Sequence, residues 1–124
     1  MPQRFTKNTS KINMSGKTSR TKGHNFEREI RKKLKKIFPN CETSRYSSRE
    51  MDDLCVDLVD TAPFHFQCKA WKSAPNLHQE LKKMPDDILF NVVMHKRPNQ
   101  GTVVAMSLED FIEILQMLKS EKII

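Results

Sequence analysis

The chain predicts an α/β domain with a central mixed β-sheet of about five strands flanked by helices. Five short runs of β-type residues fall between segments of helical period, in the order helix, three strands, helix, two strands, helix. The 124 residues, 37% hydrophobic and 30% charged, suffice for one domain with a modest core. One run, Ile88 to Met94, is apolar but for Asn91, as is typical of a strand covered on both faces.

The elements follow from local pattern. Residues 1 to about 22 are rich in Ser, Thr, Asn and Lys, carry no acid and show no sustained apolar period, so they predict a flexible basic arm ahead of a folded domain over 23–124. From His24 onward Phe26, Ile30, Leu34, Ile37 and Phe38 recur at helical spacing, which predicts an amphipathic helix ending near Pro39. Cys41 to Tyr46 alternates weakly and predicts a strand, and the polar segment Ser47 to Asp53 predicts a loop.

Leu54 to Asp60 and Phe64 to Ala70 predict a hairpin turning at Pro63. Lys72 to Asn76 reads as a linker, Leu77 to Met84 as a short helix, and His95 to Gly101 as a turn. Thr102 to Met106 predicts a last strand. Ser107, with Asp110 three residues on, opens a final helix whose Leu108, Phe111, Ile112, Leu115 and Leu118 share a face.

Charge is unevenly placed. Residues 1–36 hold 12 Lys and Arg against 2 acids, whereas the remainder carries a net −3. A concentrated positive segment on a slightly acidic body suits a polyanion, and nucleic acid is the commonest one. No apolar run approaches the roughly 20 residues that cross a bilayer, and the N-terminus has no apolar signal core, so a cytoplasmic protein without a membrane partner is expected. Cys41, Cys55 and Cys68 form no C-x-x-C pair, and His24, His65 and His78 have no metal-ligand spacing.

The chemistry-bearing pattern lies in the predicted hairpin. Alternation puts Gln67 and Lys69 on one face of the third strand, opposite to Phe64, Phe66 and Cys68. A three-residue turn, Thr61 to Pro63, sets Asp57 opposite Gln67 with Lys69 one step diagonally away; a two-residue turn sets Asp57 opposite Phe66. An acid, an amide oxygen and a lysine gathered on a sheet suit phosphodiester cleavage. Magnesium prefers oxygen donors such as Asp57, Gln67 and the Cys68 backbone carbonyl, and Lys69 can serve the attacking water or the transition state.

Asp57, followed ten residues later by Gln67-Cys68-Lys69 and preceded by Lys22-Gly23 and Phe26-Glu27-Arg28 at a helix head, resembles the PD-(D/E)XK nuclease superfamily. The pattern is nearest to the small Holliday junction resolvases of archaea and phages, with Mrr-like restriction nucleases second. The resemblance implies a restriction-endonuclease-like core over about residues 22–120. It also implies a metal site completed by Glu27, a loop serine near the site at Ser47 or Ser48, and magnesium- or manganese-dependent cutting of four-way or other branched DNA by a homodimer in a prokaryotic or virus-infected cell.

Two departures stand out. The family's usual second acid is Gln67 here, and no proline precedes Asp57. Phosphate contacts are expected from Lys17, Arg20, Lys22, Arg28, Arg31, Lys72, Lys96 and Arg97, besides Ser47 and Ser48. Trp71 can stack on a base or pack on the sheet edge, and Gln79 can orient a phosphate. Ile114, Met117, Ile123 and Ile124 widen the apolar face of the last helix, which suits a dimer interface. Two alternatives are a restriction or repair endonuclease acting on linear duplex, and a DNA-binding module without catalysis.

Overall fold

Phe26 and Ile30, one helical turn apart, are buried at 2% and 5% exposure and anchor the long first helix, α1 (Gly16–Leu34), against a sheet. Arg31, Lys32 and Lys33 in its last turn complement the helix dipole. This is a computed structural model, and it describes residues 16–71, 73 and 76–124, with side chains from residue 19 onward. The helix begins at least eight residues before the expected His24, so residues 16–22 of the predicted arm are helical; residues 1–15 lie outside the described residues.

The chain continues through β1 (Glu42–Thr43), α2 (Ser44–Ser47), α3 (Arg49–Asp53), β2 (Leu58–Val59), β3 (Phe64–Ala70), α4 (Leu77–Lys82), β4 (Phe90–Arg97), β5 (Gly101–Ala105) and α5 (Leu108–Ser120). One five-stranded sheet has the order β1-β2-β3-β4-β5. The β3–β4 pair is parallel and the others are antiparallel, so the sheet is mixed and open, as the pattern predicts. The helical crossover through α4 is what a parallel neighbour requires.

Strand alternation sorts the core into two layers. Phe66 and Cys68 of β3 with Val92 and Met94 of β4 face Phe26 and Ile30 of α1, and Leu58 and Cys41 close that layer. On the other face Val93, Val56 and Met84 pack with Leu77 and Leu81 beside α4. β4 is buried along most of its length, in line with its apolar run.

Several expected boundaries move. The predicted strand Cys41–Tyr46 shrinks to Glu42–Thr43, and the predicted loop Ser47–Asp53 is mostly the two short helices. Ser48 caps α3 by accepting from the Met51 amide at 3.3 Å, which explains a helix where composition suggests only a loop. The run Leu54–Asp60 contributes two strand residues, because Leu54 ends α3 and Cys55 takes a left-handed φ of 64°. β4 extends through His95–Arg97, so the turn before β5 is shorter than expected.

The final helix opens as predicted, with the Ser107 side chain accepting from the Asp110 amide at 3.1 Å. Its apolar face is uncovered: α5 has no buried residue, and Leu108, Phe111, Ile112, Leu115 and Met117 are all exposed. Among the described residues no helix is long and apolar enough to cross a membrane.

Candidate functional site

Asp57 lies just before β2, where the register is decided. Leu58 pairs with Phe66, as the three-residue turn requires, yet the Asp57 amide also donates to the Phe66 carbonyl at 2.8 Å. Asp57 and Leu58 therefore share Phe66, an arrangement of the β-bulge type that re-aims a side chain. The Asp57 side chain turns along the strand edge, where its Oδ2 accepts from the Cys68 amide at 2.7 Å. In a strand the N–H and C=O of one residue point to the same neighbour, so the Cys68 carbonyl faces this edge too.

Glu27 approaches from α1, one position after the buried Phe26. Its side chain is 14% exposed and lies 3.5 Å from the Arg45 guanidinium of α2. Burial and then the Asp57 charge push its carboxyl up to about 7. Burial likewise pushes Asp57 up to about 6, against the opposing Cys68 hydrogen bond and the Lys69 charge. Asp52, which accepts from the Ser44 hydroxyl at 3.4 Å, adds a third negative charge that raises both. Like charges held out of water make such a site receptive to a cation.

Gln67 and Lys69 extend from β3 toward α4. The Gln67 side chain, 1% exposed, donates from Nε2 to the Glu80 carbonyl at 3.0 Å, and its Oε1 has no protein partner. The Lys69 ammonium stands 3.4 Å from Glu80 Oε1 and 4.9 Å from the centre of the Trp71 ring. Glu80 is 4% exposed and also meets Lys83 at 3.1 Å.

Glu80 is the residue of this cluster that the sequence pattern did not single out. Its signal was available: it follows Leu77 by three residues and precedes Leu81 and Met84, so it flanks the inward stripe of α4.

Asp57 is thus within electrostatic reach of both Glu27 and Lys69, whereas the Gln67 amide is fastened to the backbone of α4. Among the described residues no three His, Cys, Asp or Glu side chains are grouped to hold a metal ion. The donors at the β2 edge are nevertheless all oxygen, two carboxyls and the Cys68 carbonyl, while the orphaned Gln67 Oε1 lies on the α4 side of β3. That set fits a hard divalent cation, which takes carbonyl oxygens alongside carboxylates.

The expected phosphate-binding residues divide. Arg20 and Lys22 are exposed on α1, and Arg28, also exposed, bonds Asn25 at 3.0 Å. Arg20, Arg28 and Arg45 surround His24, whose pKa is lowered first by burial and then by those charges, so a positive patch borders the acid pair. Arg31 is engaged by Glu42 in a two-pronged contact at 2.9 and 3.0 Å, which uses its donors internally.

Lys96 pairs with Glu29 at 3.0 Å, and Arg97 is exposed at the end of β4. Ser47 donates to the Thr43 carbonyl at 3.0 Å and Ser48 caps α3, so both hydroxyls have local duties. The exposed Gln79 lies in the first turn of α4, where its amide donates to Asn76 Oδ1 at 3.1 Å. Lys72 and the Lys17 side chain lie outside what is described. The chain matches no protein-family model, no curated protein and no solved structure.

Proposed function

We propose that the protein is a magnesium-dependent endodeoxyribonuclease with a restriction-endonuclease-like core, acting on branched DNA such as four-way junctions during recombination or repair, with manganese able to replace magnesium. The observation that carries the reading is the pair Glu27 and Asp57, two shielded carboxyls raised to about 7 and 6 beside the Lys69 ammonium. Glu27, Asp57, the Cys68 carbonyl and Gln67 Oε1 would hold the ion. Magnesium bound there supplies Lewis-acid charge and lowers the pKa of its water.

The chain's own groups supply the rest. Lys69, steadied by Glu80, offers a positive charge to a phosphate whose negative charge grows during attack. Arg20, Lys22, Arg28 and Arg45 would attract the backbone without reading sequence, which suits recognition of shape. The uncovered face of α5 suits a homodimer making two symmetric cuts. Antiparallel pairing of two such helices sets the acidic first turn, Glu109 and Asp110, against Lys119 of the last.

A second reading, a DNA-binding module without catalysis, draws on the lack of a three-acid group among the described residues. Asp57→Ala separates the two: it should abolish magnesium-dependent cleavage while junction binding persists, and retained cleavage would sink the assignment of the site.

A further inference from the structure

Beside the acid pair lies an open cleft of about 620 Å³, walled on one side by Ser19, Lys22 and Gly23 of α1 and on the other by Cys68, Lys69 and Trp71 at the end of β3. Ser19, Gly23 and Glu27 succeed one another at four-residue spacing, so the α1 wall forms one stripe leading to the Glu27 carboxyl. The Trp71 amide donates to the Lys96 carbonyl at 3.1 Å, which ties the indole's backbone to β4. The ring is 37% exposed, with the Lys69 ammonium 4.9 Å from its centre.

Gly23 has no structural need to be glycine. A Cβ built there meets nothing within 4 Å, and no left-handed φ requires it. A glycine inside a helix costs about 1 kcal/mol relative to alanine, so the fold alone would favour a side chain here. What the missing side chain leaves is open space facing an aromatic ring and two lysines. Past Lys22 and Ala70 the cleft adjoins a smaller hollow of about 320 Å³ bounded by Lys96 and Pro98, which continues the line of positive charge.

We infer that this cleft is a nucleobase subsite: it receives one unpaired base of the DNA, stacked on Trp71, while Lys22 takes the adjoining phosphate. A flat π-system in a groove lined by ammonium groups is the combination by which proteins hold single-stranded nucleic acid without sequence preference, and Gly23 leaves room for the base opposite the ring. The subsite rests on the nuclease reading. It deepens that reading by assigning the substrate an unpaired nucleotide next to the scissile phosphate, which a branch point with an opened base pair supplies and a continuous duplex does not.

Trp71 is the only tryptophan of the chain, so its fluorescence reports the cleft directly. The test titrates the full chain, in chelator, with a short oligodeoxythymidylate and with an abasic oligomer of the same length, following tryptophan emission and oligomer anisotropy together. The inference expects the thymidylate to quench Trp71 on binding and the abasic strand to bind with little quenching. Trp71→Ala should weaken thymidylate binding roughly ten- to a hundredfold, in keeping with about 1–3 kcal/mol per stacked base.

Gly23→Leu, which should fold at least as well as the parent, should fill the cleft and abolish the quenching. Equal quenching by the abasic strand, binding without quenching, absence of thymidylate binding, or unaltered quenching in Gly23→Leu would each overturn it. Because no metal is present, failure of the subsite is read separately from failure of cleavage.

Discussion

The Lys69 ammonium and the Glu80 carboxylate, 3.4 Å apart, join β3 to α4 across a largely buried face. Glu80 is the shared partner of Lys69 and Lys83, and its backbone carbonyl receives the Gln67 amide. One residue of α4 therefore orients both functional side chains of β3. Removing its carboxylate takes from a partly buried lysine its direct ion-pair partner. Glu80→Ala should cost about 1–3 kcal/mol, read as a lowered urea midpoint, the figure being tempered by the partial exposure of Lys69. A change below about 0.5 kcal/mol, the range of an ordinary surface substitution, would show that the pair does not organise the site.

Gln67→Glu tests the orphaned oxygen. The substitution removes the Nε2 donor and sets a carboxylate against the Glu80 carbonyl, so the metal-free variant should melt several degrees below the parent. Magnesium should restore more of the lost melting temperature in the variant than it adds to the parent. Identical magnesium responses in the two proteins would remove Gln67 from the ligand set.

The acid pair makes stability depend on pH in a defined direction. Glu27 and Asp57 titrate in the folded protein near 7 and 6, above their ordinary values of 4.5 and 3.8. Across that window the folded state binds more protons than the unfolded one, so these two groups make the protein less stable as pH rises from about 4 to 7. The loss should be about 3 kcal/mol from Asp57 in metal-free buffer, with a smaller further share from Glu27, discounted because it is only partly shielded from water. Glu27→Gln should flatten the profile, and magnesium should stabilise most above pH 7. A variant whose stability follows the parent's pH curve would contradict the assigned shift.

The uncovered α5 face predicts self-association. Phe111 and Leu115 are 48% and 38% exposed among the described residues. Sedimentation should show a dimer for the parent and a monomer for Phe111→Glu with its fold intact. A monomeric parent at micromolar concentration would assign this face to something other than a second copy.

How far the sequence revealed these features depends on where local pattern controls structure. β3 spans Phe64–Ala70 as expected, because its alternation matches two differently packed faces. The Ser107 cap of α5 was equally legible, since a side chain three residues from its target is a local matter. The region around Asp57 was not. Val56 and Leu58 look like consecutive inward positions of one strand, but they enter different core layers across the bulge at Asp57.

Asp57, Glu27 and Lys69 could be named from residue type and element order. The attachment of Gln67 to α4 depends on how the crossover packs, which no window of sequence contains. Glu80 escaped for a related reason: on a six-residue helix with His78, Gln79 and Lys82 for company, an acid reads as solvated until its neighbours on β3 are placed.

Cleavage of a labelled four-way junction, beside linear duplexes of the same arms and with magnesium or chelator, tests the central claim most directly. The account predicts paired, magnesium-dependent nicks near the branch point, abolished by Asp57→Ala and by Lys69→Met while both variants still bind the junction. Binding without any cutting by the parent would contradict it and leave a DNA-binding module, and equal cutting of the linear duplexes would contradict the preference for branched DNA.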